Sequence, residues 1–147
     1  MKDQFFSPNQ HSIEELNKFC TGTMSDFLGI KITEVAPTYI KAEMPINTKT
    51  IHPFRMMHGG ASFVLAEHIG SVAANLVIDM ESFFAFGQSL VGSHIKTAKE
   101  GETVYGYASA LHIGATSHIW DIKIKNEQEQ LVFSGQLTMA IRPKKKD

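Results

Sequence analysis

The chain has 147 residues, which is enough for one domain with an apolar core, and its formal net charge is −1. Its 43% of apolar and 20% of charged residues are ordinary for a soluble globular protein, and the near-zero charge argues against broad nucleic-acid binding. A single cysteine, Cys20, rules out an intrachain disulfide and favours a reducing compartment, and the N-terminus lacks the pattern of a signal peptide. We therefore expect one cytoplasmic domain over residues 1–147, with flexible ends at 1–10 and 142–147.

The predicted elements begin with two short helices. Ser12 and Glu15 have the spacing of a capping box for a helix that runs to about Cys20, and a second helical turn covers residues 24–28. The apolar stretch 60–78 predicts a long helix that is buried on nearly all sides. Alternating apolar residues and turn signals predict six strands, at residues 30–35, 39–46, 83–96, 103–113, 117–126 and 130–141.

One long helix with about six strands indicates an α+β fold, in which a single sheet wraps around the helix. The helix is long enough for a membrane span, but Glu67, His68, Asn75 and Asp79 argue against one. Such a sheet has an exposed edge or face, which another part of a protein has to pair with or pack against. We therefore expect a protein that forms an oligomer and does not cross a membrane.

Glu67 lies in the middle of the apolar helix, where a carboxylate is costly unless it is paired, hydrogen-bonded or used in catalysis. At about 100° per residue, Glu67 shares one polar line with Ser71 and Asn75, and we expect this line to form a wall of an active site. A carboxylate in a partly dry pocket can activate water or attack an acyl carbon. The alternative is a structural carboxylate that neighbours such as Ser71 hold in place.

Gly59 and Gly60 follow His58 at the start of this helix. The first N–H groups of a helix have no intrahelical partner and lie at the positive end of its dipole, and glycine lets a substrate oxygen approach them closely. Such groups can stabilise a carbonyl oxygen that becomes negative during a reaction. The alternative is that the paired glycines only allow a sharp turn or tight packing, because so short a motif is a weak signal.

The spacing of these groups bears on where a site can form. Gly59 precedes Glu67 by eight residues, which is roughly 12 Å along a helix axis. The free N–H groups point out of the N-terminus of the helix and away from Glu67. If Gly59 and Glu67 share one carbonyl, they therefore come from two copies of the chain, and the spacing predicts an active site at a dimer interface.

Four further residues are weaker candidates for the site: His52, Ser71, Ser93 and His94. A lone histidine in a strand, such as His94, is more often structural than catalytic. The other histidines have no metal-ligand spacing with one another, so we expect no metal. The sequence contains neither a glycine-rich phosphate loop nor the Gly-X-Ser-X-Gly motif of a serine nucleophile.

Residues 44–73, and above all the block 58–71 that begins His58-Gly59-Gly60, resemble the hotdog-fold acyl-CoA thioesterases that use a glutamate. The resemblance continues through Ser93-His94-Ile95, the turn at 98–101, the segment 112–120 and the last strand, and it covers roughly residues 25–141. It implies the hotdog fold, hydrolysis of an acyl thioester, and a homodimer or a dimer of dimers, that is, a homotetramer. Coenzyme A would then be part of the substrate, and no other cofactor is expected.

The resemblance also implies roles for single residues. Glu67 would be the nucleophile or the general base, with Ser71 assisting it. The Gly59 N–H would bind the oxyanion, with His58 beside the thioester and His94 near the acyl pocket. The other residues expected to contact the substrate are Gly60, Ser93 and Phe54.

His52 departs from the family pattern, because relatives carry Gln or Asn at this place. An amide is a fixed donor and acceptor that can polarise a carbonyl or orient water. An imidazole can do this in only one tautomer, and it changes charge near neutral pH. We therefore expect His52 to make activity depend on pH near neutrality, unless it is only a loop residue before Pro53.

The turn at Gly114 is a second departure. Relatives usually follow it with Arg, which contacts the nucleotide phosphate. The residues at this place are Ala115, Thr116 and Ser117. Arg55, Lys96 or Lys99 would have to supply the missing charge, or the carrier is held more weakly.

Thioester hydrolysis is thus the first interpretation, and two alternatives stay open. One is a hotdog dehydratase that acts on a carrier-bound 3-hydroxyacyl chain, although that family pairs a histidine and an acid on a different motif. The other is a protein that binds acyl thioesters without turnover, in which His52 marks lost catalysis. Hydrolysis of a generic acyl-CoA or aryl-CoA would separate these functions.

Overall fold

The structure is a computed structural model, which describes Phe6 and residues 11–145. Its helices are α1 (Ile13–Phe19), α2 (Met24–Phe27) and α3 (Gly59–Leu76). Its strands are β1 (Lys31–Ala36), β2 (Tyr39–Pro45), β3 (Phe83–His94), β4 (Thr103–Ile113), β5 (Ser117–Lys125) and β6 (Leu131–Pro143). The strands form one antiparallel sheet in the order β1-β2-β4-β5-β6-β3.

The predicted elements are confirmed, with shifts of a few residues at their ends. At the start of α1 the Ser12 hydroxyl accepts a hydrogen bond from the Glu15 N–H at 3.1 Å, and the Ser12 N–H donates to the Glu15 carboxylate at 2.9 Å. This reciprocal pair is the predicted capping box, and it lowers the pKa of the Glu15 carboxyl group. Helix α3 ends at Leu76, two residues before the predicted end.

The sheet curves around one side of α3. Leu65, Ala66, Ile69 and Ala73 are fully buried on that side of the helix. They meet the inner face of the sheet, whose largest buried side chains include Trp120, Phe133, Ile122, Leu137 and Met139. A long helix wrapped by an antiparallel sheet is the hotdog fold, so the predicted α+β class and fold are confirmed.

The opposite side of α3 corrects one prediction. Val64, Glu67, His68, Ser71 and Asn75 are only partly buried in the chain. The helix is therefore not buried on nearly all sides, because a sheet can cover only the side of the helix that faces it. The partly buried side carries the polar line.

The two edges of the sheet differ in how they are protected. On edge strand β1, the Asn17 side-chain amide donates to the C=O of Ile32 and accepts from its N–H, each at 2.8 Å. Helix α1 therefore supplies hydrogen-bond partners for part of that edge. Edge strand β3 is longer, and most of its residues are exposed, including Phe86 at 53% and Val91 at 74%. The expected uncovered edge is therefore β3, whereas the oligomer that would cover it stays a prediction.

Parts of both predicted flexible ends belong to the fold. Phe6 is buried and stacks on Trp120, with ring centroids 5.9 Å apart. Strand β6 continues through Arg142 to Pro143, two residues beyond the predicted strand. Residues 1–5, 7–10, 146 and 147, for which flexibility was also predicted, lie outside the described residues. No helix within the described residues is long and apolar enough to cross a membrane.

Candidate active site

Of the N–H groups of Gly59 and Gly60 at the start of α3, only one lacks a hydrogen-bond acceptor within the described residues. His58 is the N-cap residue, and its Nδ1 accepts a hydrogen bond from the Gly60 N–H at 2.9 Å. The next N–H, that of Ala61, donates to the His58 C=O at 2.9 Å. Within the described residues, no acceptor is found for the Gly59 N–H. The expectation of free N–H groups therefore holds for Gly59 and is wrong for Gly60, whose N–H is held by the neighbouring imidazole.

His94, the last residue of β3, lies next to the start of α3. A Cβ atom at Gly59 would lie 2.9 Å from Nε2 of His94, so only glycine leaves room for the ring at this distance. The ring packs against Phe63 and Phe133, each at a centroid distance of 5.6 Å. Its Nδ1 is 3.5 Å from the hydroxyl of fully buried Ser62, which is a long hydrogen bond. The imidazole is thus held with Nε2 beside Gly59.

Glu67 lies near the other end of β3. The Ser71 hydroxyl, one helical turn further on, donates to the Glu67 carboxylate at 3.4 Å. On β3, Gly87 faces this carboxylate, and a Cβ atom at Gly87 would overlap it. The register between β3 and β6 is irregular at this place, between Gly87 and Ser89. Bulges are common next to active sites, because they redirect the strand locally.

Gly87 was not recognised in the sequence, although a glycine inside a strand pattern often marks a close approach. We predict that Gly87→Ala lowers kcat by about a hundredfold, because the added methyl group displaces the Glu67 carboxylate and small displacements of a catalytic group have effects of this size. Steady-state kinetics of the variant measure kcat, and thermal unfolding shows whether the variant is folded. Ser89→Ala, at an exposed residue of the same strand, is the control. A folded Gly87→Ala protein with normal kcat would show that the position of Glu67 beside β3 is not needed for turnover.

His52 belongs to a loop that folds back on the start of α3. Its backbone N–H donates to the Met56 C=O at 3.0 Å, and its Nδ1 accepts from the Phe54 N–H at 3.2 Å. Phe54 itself is 81% exposed, with its ring 5.7 Å from the imidazole. Arg55 has a positive φ of 63° and pairs with Glu100 through two short hydrogen bonds of 2.6 and 2.7 Å. The loop is therefore internally bonded, and no hydrogen bond is found for Nε2 of His52 within the described residues.

For His52 we predict that turnover depends on the acceptor that its side chain offers to the Phe54 N–H. His52→Gln is expected to keep most of the turnover, because the amide oxygen can accept in place of Nδ1, whereas His52→Ala loses more because no acceptor remains. Steady-state turnover of the three proteins tests this prediction. Equal turnover of all three would leave His52 without a part in catalysis. The pH dependence expected from the sequence stays a prediction.

A cavity of about 750 Å³ opens beside the C-terminal half of α3, which follows Glu67. Ser71, His68 and Asn75 line it from α3, Phe83 and Phe84 line it from β3, and further walls come from α1 and from Lys144. Burial lowers the pKa of His68, so its imidazole is neutral at neutral pH. We call this space the α1 cavity.

The structure does not bring all predicted site residues together. Gly59, His58 and His94 meet at one end of α3, and Glu67, Ser71 and Gly87 meet roughly 12 Å along its axis. Ser93 points to the other face of the sheet from its neighbour His94, because side chains alternate along a strand. No group of three or more acidic, histidine or cysteine side chains that could hold a metal occurs among residues 11–145 and Phe6. Ser62, Gly87 and His68 were missed by reading the sequence.

The fold is that of one class of protein, the hotdog-fold thioesterases. Residues 54–133 match the family model described as thioesterase superfamily. The chain belongs to this family, so the predicted thioester hydrolase is confirmed at the level of the family.

Individual relatives agree with this assignment. A putative esterase of Vibrio cholerae is 42% identical over 89% of this chain and 86% of its own length. The 1,4-dihydroxy-2-naphthoyl-CoA hydrolase of Escherichia coli is 38% identical over 88% of this chain and 94% of its own. The crystal structure of a mutant thioesterase from Pseudomonas aeruginosa superposes with a TM-score of 0.90 at 32% identity, covering 92% of this chain and 97% of that one.

Proposed function

We propose that the chain hydrolyses acyl-CoA thioesters at sites that two copies of the chain share. The observation that carries this proposal is the position of two complementary groups along one uncovered strand. The Gly59 N–H, with no partner in the described residues, lies beside one end of β3, and the partly buried Glu67 carboxylate lies beside the other. The Gly59 N–H can donate a hydrogen bond to an oxyanion, and the Glu67 carboxylate can act as a nucleophile or a base.

Antiparallel pairing of β3 with the same strand of a second copy would join the two groups. If Leu90 lies opposite the partner's Val91, then Gly87 lies opposite the partner's His94. Glu67 of one chain then faces the helix start of the other, and a two-fold axis creates two such sites. The pairing would also cover the exposed edge of the sheet. A homodimer is the smallest assembly with complete sites, and a dimer of dimers would keep them.

In the proposed reaction the thioester carbonyl oxygen accepts a hydrogen bond from the Gly59 N–H, with Nε2 of His94 beside it. Glu67 either attacks the carbonyl carbon, to form an anhydride that water then hydrolyses, or takes a proton from the water that attacks. In both routes the carbon–sulfur bond breaks, the sulfur leaves as a thiolate and takes up a proton, and a carboxylic acid remains. Ser71 orients the Glu67 carboxylate. We propose that the reaction needs no cofactor besides the coenzyme A of the substrate.

Coenzyme A as the carrier is supported by the similarity to the Escherichia coli relative, which is a 1,4-dihydroxy-2-naphthoyl-CoA hydrolase. Arg55 is a weaker candidate for its phosphates than expected, because Glu100 already neutralises the guanidinium. Lys96 and Lys99 are exposed after the end of β3 and have no ion-pair partner within the described residues. We therefore propose that these two lysines contact the carrier.

A turnover screen tests the proposed function. Acetyl-, octanoyl-, palmitoyl- and benzoyl-CoA are each incubated with the wild-type chain, and the released thiol is measured. We expect release above that of the Glu67→Ala protein for at least one thioester. If none is hydrolysed although calorimetry detects binding, the chain is a binding protein without turnover.

A further inference from the structure

Ser62 carries a fully buried hydroxyl in α3 that no step of the proposed reaction uses. It follows Gly59 by three residues, so the two lie on the same side of the helix. Its hydroxyl contacts Nδ1 of His94 at 3.5 Å, and no other partner is found for it within the described residues. A serine hydroxyl in a helix often donates to the C=O four residues earlier, but such a bond is not found here either. The His94 imidazole is therefore the group that satisfies this buried hydroxyl.

The contact between Ser62 and His94 can form in two ways. A neutral imidazole carries one hydrogen, on Nδ1 or on Nε2, and the other nitrogen is an acceptor. If Nδ1 carries the hydrogen, it donates to the Ser62 oxygen, and the hydroxyl hydrogen stays in the core without an acceptor. If Nδ1 carries none, the hydroxyl donates to it, and neither buried group is left unpaired. An unpaired buried donor is costly, so the second arrangement is favoured, and Nε2 then carries the hydrogen.

Nε2 of His94 and the Gly59 N–H lie close enough to bind one atom between them. A Cβ atom at Gly59 would be 2.9 Å from Nε2. A Cβ atom lies about 2.5 Å from the backbone nitrogen of its own residue, so the two nitrogens are at most about 5.4 Å apart. One oxygen that accepts from two donors at about 2.9 Å each allows a separation of up to about 5.8 Å. Two donors therefore border one position at the start of α3.

We propose that Nε2 of His94 donates a second hydrogen bond to the oxyanion, next to the Gly59 N–H, and that Ser62 is a positioning residue that keeps the hydrogen on Nε2. Both donors are in place before negative charge develops on the thioester oxygen, which is the arrangement that stabilises such charge most. Phe63 and Phe133 hold the ring by packing, whereas Ser62 decides which nitrogen carries the hydrogen. This inference rests on the proposed function, because it assumes that the thioester oxygen binds at Gly59.

A double-mutant cycle tests whether Ser62 acts through His94. His94→Phe keeps a ring beside Phe63 and Phe133 but has no donor, so kcat should fall roughly a hundredfold while KM changes little. Ser62→Ala should lower kcat by roughly tenfold, the effect of one net hydrogen bond. In the double variant the change at Ser62 should add no further loss, because the donor that it positions is already absent. A normal kcat for His94→Phe, or losses that multiply in the double variant, would overturn the inference.

Two further variants separate positioning from stability. Ser62→Cys has a side chain of similar size with a weaker donor, so its kcat should lie between those of Ser62→Ala and the wild-type chain. Ala73→Gly changes another fully buried residue of α3 and lowers helix stability without touching His94. Its kcat should stay normal although its thermal unfolding temperature falls. A loss of kcat in Ala73→Gly as large as that in Ser62→Ala would show that Ser62 acts only through stability.

NMR of the histidine rings tests the position of the hydrogen without any substrate. The histidines are labelled with nitrogen-15, and spectra are recorded at about pH 8, where an ordinary histidine is neutral. The signals that disappear in His94→Phe identify its ring. We expect the hydrogen on Nε2 in the wild-type chain and a mixture of both forms in Ser62→Ala. A hydrogen on Nδ1 in the wild-type chain, or an unchanged ring in Ser62→Ala, would overturn the inference. If no thioester is hydrolysed, the proposed function and the oxyanion role of His94 both fail, whereas the spectra still test the effect of Ser62.

Discussion

Replacing Glu67 with alanine is expected to lower kcat by at least about a hundredfold, the usual scale for the loss of a general base or nucleophile. The fold should persist, because the hydrogen bond from Ser71 at 3.4 Å is the only one found for the Glu67 carboxylate within the described residues. Steady-state kinetics, thermal unfolding and native mass spectrometry of the variant measure activity, stability and assembly.

Two matched variants sharpen this experiment. Glu67→Gln keeps the size and polarity of the side chain but removes its charge and basicity, so it should be nearly as inactive as Glu67→Ala. Ser71→Ala removes the hydroxyl that orients the carboxylate and should have a smaller effect on kcat. A folded Glu67→Ala protein with near-normal turnover would exclude Glu67 from the reaction.

Mixing two inactive variants is expected to restore activity if each site uses two chains. A Glu67→Ala subunit keeps an intact helix start, and a His58→Ala subunit keeps an intact Glu67. Random exchange makes half of the dimers mixed, and each mixed dimer has one complete site, so activity should reach roughly a quarter of the wild-type value. Differently tagged subunits and native mass spectrometry verify the exchange.

The choice of His58 needs its own control, because His58 also caps α3 and loss of an N-cap costs about 1 kcal/mol. His58→Asn keeps a capping side chain without an imidazole and separates the two roles. If His58→Ala alone remains active, Gly59→Val replaces it in the mixture, because bulk at Gly59 meets His94. Mixtures that demonstrably exchange subunits and stay inactive would show that each site lies within one chain.

Local patterns in the sequence predicted the elements of the fold and one half of the site. The capping box of α1, the six strands and the long helix depend on residues a few positions apart, so helical and strand periodicity reveal them. The same periodicity placed Glu67 and Ser71 on one line, one turn apart, and the structure shows their hydrogen bond. The motif of His58, Gly59 and Gly60 marked the start of the helix, which is where α3 begins.

Contacts between distant parts of the chain could not be predicted in this way. The imidazole capping of the Gly60 N–H is a local contact, but it too could not be predicted, because it depends on the side-chain rotamer of His58. His94 reaches Gly59, and Gly87 lies against Glu67, only because β3 passes along the helix in one particular register. The exposure of one side of α3 likewise depends on how far the sheet extends around it.

By itself, the sequence determined the order and type of the elements, the position of a carboxylate within an apolar helix, and the resemblance to thioesterases. These properties are local, because hydrogen bonding within a helix and side-chain alternation within a strand act over a few residues. The tertiary structure decided that β3 is the uncovered edge, that Gly87 makes room for Glu67, and that α1 encloses a cavity next to His68. These three features depend on which distant surfaces of the chain pack together. Those contacts are selected by the close packing of whole side chains and not by the spacing of residues in the sequence.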